Sequence, residues 1–234
     1  MSLQDRPGQG CIMSDEDFSE SRQRMLALIA AKTIYSCAHL GKAALSPRVM
    51  AALAKVPRHE FVPLEMQPHA YADTPLPVGF GKTISQPFIV AVMTDLLDLQ
   101  PTDTVLEIGT GLGYQTAVLA GLVRRVYSVE LIEELASQAI HRLARQHCAN
   151  VEIKVGNGWH GWPEHAPFDK VIVTAAPELI PPSLIYQLKP GGKMVIPAGL
   201  PDAQQLIVLD KDAGDTVSTR EIFAVQFSLL DDDS

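Results

Sequence analysis

Val105-Leu106-Glu107-Ile108-Gly109-Thr110-Gly111-Leu112-Gly113-Tyr114 is the stretch that decides the fold of this 234-residue chain. Its aliphatic start is typical of a buried strand, its alternate glycines of a tight loop, and the apolar run 117–120 of a helix. Glycine tolerates positive φ and lets a ligand approach the backbone closely. Free N–H groups at a helix start attract anions. The pattern therefore predicts a strand-loop-helix unit of the nucleotide-binding class.

The spacing of the glycines indicates which ligand the loop suits. The third glycine follows directly after Leu112, whereas the dinucleotide pattern places it further on to hold a pyrophosphate. Glu130 closes the next strand-like run about 20 residues later, where a carboxylate accepts the hydroxyls of a ribose. We therefore expect an adenosine ligand without phosphates. The alternative is an ordinary strand-to-helix turn with incidental glycines, which the position of Glu130 disfavours.

Composition and charge limit the classes of protein that remain. Hydrophobic residues make up 47% of the chain and charged residues 20%, with a net charge of -8. We expect a soluble protein with a self-sufficient core, and no apolar run is long enough for a membrane helix. The negative charge disfavours a general nucleic-acid binder, which needs clustered Lys and Arg.

Cysteine and histidine usage predicts neither a disulfide framework nor a metal site. Cys11, Cys37 and Cys148 are odd in number and far apart, and the histidines stand apart from Cys and acidic ligands. This usage fits a reducing, cytoplasmic setting. The acidic N-terminal residues without an apolar stretch disfavour a secretory signal.

The chain divides into three predicted ranges, of which the second and third are expected to pack as one globular unit. Residues 1–17 are expected to be disordered or tag-like, residues 18–100 to form helices and a substrate-side loop, and residues 101–234 to form the nucleotide-binding α/β domain. The helices expected in the middle range are 18–40, 47–56 and 88–99. A loop rich in proline and glycine, with a possible hairpin, is expected between residues 57 and 86.

Strand and helix patterns alternate in the third range. The predicted strands are 104–108, 125–130, 151–155, 170–174, 193–196, 205–209 and 220–230, with helices between the first five. This alternation predicts a doubly wound, Rossmann-like, mainly parallel sheet that binds ligands at the carboxyl ends of its strands. Only Asp212-Ala213-Gly214-Asp215 joins the last two strands, so we expect them to form an antiparallel hairpin.

Thr83-Ile84-Ser85-Gln86-Pro87 is the second informative motif. Taken alone, it is a proline-terminated turn whose serine is more often a helix cap than a catalytic group. Together with residues 56–62, 71–87 and 168–177 and the glycine loop, it resembles the protein-L-isoaspartate O-methyltransferases, in consistent order over roughly residues 47 to 200. The glycine loop by itself is similar to the cofactor loop of S-adenosylmethionine-dependent methyltransferases.

The resemblance implies transfer of a methyl group from S-adenosylmethionine to the free carboxylate of L-isoaspartyl and D-aspartyl residues in damaged proteins, for repair. S-adenosylhomocysteine is then the product, and no metal takes part. Ser85 would be the active-site serine. The residues implied for cofactor binding are Thr83, Ile84, Ser85, Glu107, Gly109, Gly111, Gly113, Glu130, Leu131, Asn157, Gly158 and Thr174. The implied partners are isoaspartyl peptides and proteins, with neither nucleic acid nor membrane, and we expect a monomer.

Four departures from the family pattern bear on this reading. Gly156-Asn157-Gly158, expected at the adenine, replaces Gly-Asp-Gly; the amide keeps an acceptor but loses the charge. Residues 226–230 read Gln-Phe-Ser-Leu-Leu where the bacterial family has a motif like Arg-Phe-Val-Pro-Leu, which puts the choice of substrate in doubt. Lys82 replaces a commoner Gln near the expected pocket mouth. The segment 18–44 is also longer than the family leads us to expect.

The expected chemistry needs few groups. A carboxyl group with a pKa near 4 is already ionised at neutral pH, so the enzyme requires no general base. The tasks left to the protein are to align the reacting atoms and to strip water from the carboxylate, for which we assign the Ser85 hydroxyl as donor.

Three other functions stay open at this point. One is a related O-methyltransferase for a small-molecule or peptide-natural-product carboxylate, which the altered segment 226–230 favours. Another is an RNA methyltransferase, which the negative charge disfavours. The last is a module that binds S-adenosylmethionine without turnover, which the intact motif 83–87 disfavours.

Overall fold

The computed structural model describes residues 15–230, which form an α/β structure around a seven-stranded sheet. The helices are α1 Asp15–Tyr35, α2 Cys37–Leu40, α3 Pro47–Lys55, α4 Pro87–Leu96, α5 Tyr114–Ala120, α6 Glu133–Arg145 and α7 Pro182–Tyr186. The strands are β1 Leu76–Gly79, β2 Lys82–Ile84, β3 Thr104–Ile108, β4 Arg125–Glu130, β5 Val151–Val155, β6 Phe168–Val173, β7 Leu188–Ala198, β8 Gln205–Lys211 and β9 Val217–Ala224. β1 and β2 pair separately as an antiparallel hairpin.

The large sheet has the order β5-β4-β3-β6-β7-β8-β9. The strands from β5 to β7 are parallel, and β8 and β9 are antiparallel to their neighbours. From β3 the chain proceeds outward to β5 and then returns to β6 on the other side of β3. Such a reversal opens a crevice at the carboxyl ends of the strands. The predicted doubly wound, mainly parallel sheet with an antiparallel C-terminal hairpin is therefore confirmed.

β3 lies in the middle of the sheet, and all five of its residues are buried. It pairs with β4 on one side and β6 on the other, which explains its aliphatic sequence, since a parallel strand covered on both faces is apolar throughout. Val105 packs into a core shared with α1 and α3–α6, and Leu106 into a second core on the opposite face with Trp162 and Leu184.

The segment before β3 belongs to the first of these cores. Met25 of α1, Leu53 of α3 and Met93 of α4 are buried there together with sheet residues such as Val126. The two predicted ranges 18–100 and 101–234 therefore share apolar packing. Of the predicted N-terminal range 1–17, residues 1–14 lie outside the described residues, and residues 15–17 begin α1.

The sheet departs from the predicted elements mainly in two places, and β7, Leu188–Ala198, is also longer than the predicted strand 193–196. No α-helix lies between β5 and β6 in the described chain; only the 3-10 turns Gly158–His160 and Pro163–His165 lie there. The predicted helix was wrong because glycines and prolines recur through this connection and disfavour the helical backbone. The predicted last strand 220–230 was also misplaced: β9 ends at Ala224, and the following residues leave the hairpin.

Within residues 15–230, no helix combines the length and apolar character that crossing a bilayer requires.

Candidate functional site

Two adjoining hollows open at the switch point of the sheet. The inner cavity, about 610 Å³ with part of it open to solvent, is lined by residues that include Gly109, Gly111, Glu130 and Gly158. The outer groove, about 1100 Å³ and also partly open to solvent, is lined by residues that include Ser85. Thr83, Thr174 and Ser228 line both. The two hollows therefore meet at this border, where a group could pass from one ligand to another.

The glycine loop forms one wall of the inner cavity. Gly109, Gly111 and Gly113 have φ of +92°, +56° and +93°, a region that other residues rarely adopt. A Cβ on Gly109 would clash with the Thr174 hydroxyl. That hydroxyl donates to the Gly109 carbonyl at 2.7 Å. The loop is thus fixed against the end of β6 by a contact that leaves no room for a side chain.

Glu130 anchors the loop from the end of β4. Its Oε2 accepts from the Gly111 N–H at 2.7 Å, and its Oε1 accepts from the Ile132 N–H at 3.0 Å. A carboxylate has about four acceptor positions. Glu130, which also lines the inner cavity, can therefore hold the loop and still accept hydroxyl groups from a ligand.

Glu107 lies beneath the loop and does not line the inner cavity. Its Oε2 accepts from Thr116 Oγ1 at 2.5 Å and from Ser128 Oγ at 2.6 Å. Ser128 Oγ lies 2.6 Å from Thr110 Oγ1 in turn, while Glu107 Oε1 has no hydrogen-bond partner in the described chain. Complete burial raises the pKa of Glu107 from 4.5 to about 7, against the lowering effect of the two hydroxyl bonds. Glu107 therefore supports the loop from the buried side.

Gly158 and Asn157, both expected near the adenine, have different positions in the structure. Gly158 lines the inner cavity, and a Cβ there would clash with Cγ2 of Ile108, another lining residue. Asn157 does not line it; its Oδ1 accepts from the Trp159 N–H at 2.8 Å and caps the turn that follows. The oxygen that the sequence assigned to a ligand is therefore engaged within the chain.

The turn that carries Ser85 is held from behind by two buried charged side chains. The Arg58 guanidinium donates to the Ser85 carbonyl at 2.8 Å. Asp73 accepts from the Phe88 N–H and from the Gln86 side chain, both at 2.9 Å, and pairs with Lys32 of α1 at 2.5 Å. Ser85 and Gln86 both line the outer groove.

The C-terminal segment closes the site from the other side. Ala176, just after β6, donates to the Ser228 carbonyl at 2.8 Å and accepts from the Leu230 N–H at 2.9 Å. Ser228, Leu229 and Leu230 thereby line the inner cavity. Gln226 lines the outer groove and donates to the Pro201 carbonyl at 3.1 Å.

Most of the residues assigned from sequence converge on the two hollows. The inner cavity is lined by seven of them, namely Thr83, Gly109, Gly111, Glu130, Leu131, Gly158 and Thr174, and the outer groove by Ser85. Ile84, Glu107, Gly113 and Asn157 line neither. Lys82 lines the inner cavity, so it lies at the site.

Sequence reasoning missed the residues that hold the site together. Arg58 stands in the stretch 56–62, which carried the family resemblance, but nothing in its neighbours indicates a contact with Ser85. Asp73 and the lining residues Leu229 and Leu230 were likewise not assigned. Within residues 15–230, no three His, Cys, Asp or Glu side chains are grouped as a metal site requires.

Comparison with known proteins gives consistent matches. A family model described as protein-L-isoaspartate(D-aspartate) O-methyltransferase matches residues 37–234. A protein-L-isoaspartate O-methyltransferase 1 of Polaromonas sp. (strain JS666 / ATCC BAA-500) is 72% identical over 223 residues, which are 95% of this chain and 94% of that one. One from Cupriavidus necator is 53% identical over 215 residues, 92% of this chain and 83% of that one.

Solved structures show the same fold. A protein-L-isoaspartate O-methyltransferase, 25% identical, superposes with a TM-score of 0.77 over 91% of this chain and 66% of that one. A Plasmodium falciparum protein of that description, solved in complex with S-adenosyl-L-homocysteine, has a TM-score of 0.76 over 90% of this chain and 98% of its own. Because the Plasmodium falciparum protein is only 22% identical to this chain, its match shows a shared fold and no more.

Replacing Glu107 by Gln should make the folded protein more stable than wild type as the pH rises, because the buried carboxylate no longer has to ionise. Because the pKa of Glu107 is raised from 4.5 to about 7, the folded wild type loses stability as pH rises through that window, and a neutral amide does not. The unfolding free energy of Glu107→Gln relative to wild type should therefore rise by roughly 3 kcal/mol between about pH 4.5 and 7. Denaturant titrations at several pH values measure this.

The matched control is Glu178→Gln, which changes an exposed glutamate and should give a nearly constant difference over the same range. A flat or falling curve for Glu107→Gln would show that the folded protein already holds this carboxylate in its charged form.

Proposed function

The chain belongs to the protein-L-isoaspartate(D-aspartate) O-methyltransferase family, and from this premise we propose that it methylates the free carboxylate of isoaspartyl residues in damaged proteins. The observation that carries the proposal is the shared border of the two hollows at Thr83, Thr174 and Ser228. One hollow suits the methyl donor and the other the acceptor.

The inner cavity fits S-adenosylmethionine. Glu130 would hold the ribose hydroxyls, Gly109 and Gly111 would face the methionine moiety, and Leu131 and Gly158 would enclose the adenine. The glycine loop leaves no side chains between the backbone and this ligand. When bound, the cofactor supplies an electrophilic methyl group on a positively charged sulfur.

The outer groove fits an acceptor that is already ionised. Among its described lining residues there is no histidine, and Asp202 is the only ionisable side chain. A carboxylate acceptor needs no proton removed, so this lining is sufficient, whereas a hydroxyl or amine acceptor would need a base. The residues of the groove have to bind the carboxylate, orient it toward the border and exclude water.

Ser85 is the proposed hydrogen-bond donor to the carboxylate. It lines the groove, and no hydrogen-bond partner takes its hydroxyl in the described chain. The turn around it is fixed through Arg58 and Asp73, so the hydroxyl is positioned before substrate arrives. Methylation would then prepare the carboxylate for cyclisation to a succinimide, which reopens in part as normal aspartate.

We propose further that the protein acts as a monomer in the cytoplasm, on peptides and proteins and on neither nucleic acid nor membranes. The net charge of -8 supports the exclusion of nucleic acid.

The proposed acceptor is tested with labelled S-adenosylmethionine and a pair of peptides that differ only in an isoaspartyl or a normal aspartyl linkage. The isoaspartyl peptide should become labelled, with the label released by mild base as an ester requires, and its twin should not. Cofactor binding without labelling of either peptide would contradict the proposal. Small carboxylic acids and RNA offered in parallel would identify a different acceptor.

Ser85→Ala should slow methylation without weakening the cofactor site. Loss of one hydrogen bond to a charged group corresponds to about 1.5–3 kcal/mol, so kcat/KM for the isoaspartyl peptide should fall roughly 10- to 100-fold. The dissociation constant of S-adenosylhomocysteine, measured by calorimetry, should stay near the wild-type value. Unchanged kcat/KM would remove Ser85 from the proposed mechanism.

Gly158→Ala should weaken the cofactor, because its Cβ would have to displace the lining residue Ile108. Overpacking of this kind costs about 1–3 kcal/mol, to be read from the calorimetric affinity for S-adenosylhomocysteine and from the unfolding midpoint. Gly156→Ala is the matched control, since its Cβ would meet only Lys154 Cε at 3.8 Å. Equal effects of the two substitutions would disprove the steric explanation.

A further inference from the structure

The outer groove presents an electrostatic problem for its proposed ligand. No Lys, Arg or His is among its described lining residues, and Asp202 is among them. An anionic substrate would therefore enter a neutral-to-acidic groove on a protein of net charge -8. A buried carboxylate without compensating donors or positive charge is costly, and the lining itself offers the carboxylate only polar groups such as the Ser85 hydroxyl.

Arg58 is the buried cation nearest to the turn that carries Ser85. Its side chain is fully buried, and it donates to the Ser85 carbonyl at 2.8 Å and to the Ala70 carbonyl at 2.7 Å. It lies over the Tyr114 ring at 4.7 Å. Within residues 15–230 no carboxylate forms an ion pair with it, and its Nη1 has no hydrogen-bond partner.

The guanidinium remains charged at neutral pH. Burial lowers the pKa of Arg58 from 12.5 to about 10, with Tyr114 and Asp73 acting in the opposite direction. A permanent positive charge without an ion-pair partner therefore stands directly behind the Ser85–Gln86 peptide group.

The Ser85–Gln86 peptide group lies between the Arg58 charge and the groove. The Ser85–Gln86 bond is trans, so its N–H points opposite to its carbonyl. Because the carbonyl faces Arg58 in the interior, the Gln86 N–H points away from Arg58. Ser85 and Gln86 both line the groove. No acceptor within residues 15–230 takes this N–H, and hydrogen bonds in series polarise one another.

We infer that the backbone N–H of Gln86, polarised by Arg58 through the Ser85 carbonyl, is the second donor to the substrate carboxylate beside the Ser85 hydroxyl. Arg58 is then a positioning residue that also supplies charge. This inference rests on the proposed function, since it concerns the same acceptor.

The first test uses the wild-type protein saturated with S-adenosylhomocysteine and observed by ¹H–¹⁵N NMR. An isoaspartyl peptide should move the Gln86 amide proton downfield, more than the groove amides of Ala224 and Val225. A twin peptide whose isoaspartyl carboxylate is replaced by a carboxamide should move it less. If the carboxylate peptide binds and leaves the Gln86 amide in place, the inference is wrong.

The second test separates the charge of Arg58 from its support of the backbone. Wild type should prefer the carboxylate peptide, judged by its KM against the Ki of the carboxamide twin. Arg58→Met should reduce that preference roughly tenfold or more, and Arg58→Lys, which keeps the charge, should restore a fraction of it. Equal loss of preference in the two variants would show that the charge is not what matters.

Arg48→Met is the matched control. Arg48 also donates to two backbone carbonyls, those of Leu99 and Leu122, at 2.8 and 2.9 Å, and it does not line the groove. It should lower the unfolding midpoint and leave the preference for carboxylate unchanged. If Arg58→Met does not fold, the NMR result on the wild type decides.

The outcomes distinguish this inference from the proposed function. Absence of isoaspartyl methylation by the wild type, with S-adenosylhomocysteine bound, would count against the function itself. Normal methylation together with an unmoved Gln86 amide would overturn only the role of Arg58 and Gln86.

Discussion

The site depends on a glycine-rich loop whose conformation is fixed by contacts from neighbouring strands. Gly109, Gly111 and Gly113 adopt positive φ, and a chain of glycines has more freedom to lose on folding than any other. The loss is offset by contacts from the neighbouring strands: Val129 and Glu130 of β4 accept from Gly109 and Gly111, and Thr174 after β6 donates to Gly109. A ligand therefore meets a surface that is already in its binding conformation, so little ordering cost falls on binding.

The acceptor side is fixed in the same way, although the contacts there come from distant regions of the chain. Arg58 and Ser85 are 27 residues apart, and Lys32 reaches Asp73 from α1. The N-terminal part of the chain thus does more than cover a sheet face, because its charged side chains fix the Ser85 turn: Lys32 of α1, Arg58 of the 3-10 turn Arg58–Phe61, and Asp73. The C-terminal segment completes the border by binding to Ala176 at the end of β6. Donor and acceptor hollows are consequently built from both ends of the chain around the fixed central loop.

Sequence patterns predicted the features of this design that depend on local order. β3, β4 and β5 begin and end where expected, because each is a short aliphatic run bounded by turn residues. The helix expected between β5 and β6 is absent because glycines and prolines recur there. The predicted last strand extended too far because residues 225–230 alternate apolar and polar side chains as a strand does, whereas residues 228–230 bind Ala176 outside the hairpin. Patterns also could not say that Glu107 would face Ser128 beneath the loop. Contacts such as that of Arg58 with Ser85 arise from tertiary packing alone, and no local signal marks them.

The absence of a cation from the described groove lining has a physical reason in the reaction proposed for it. Transfer of a methyl group from a sulfonium to a carboxylate begins with two opposite charges and ends with none. A lysine or arginine directly on the carboxylate would bind the ground state more strongly than the transition state, in which that charge is already diminishing, and so would raise the barrier. The Ser85 hydroxyl and the polarised Gln86 N–H bind the carboxylate strongly enough to orient it. The Arg58 guanidinium is one peptide group further away, so the carboxylate keeps its charge for the reaction with the sulfonium. On this argument a neutral glutamine at position 226 is compatible with catalysis, because rate requires orientation and desolvation of the carboxylate more than its neutralisation.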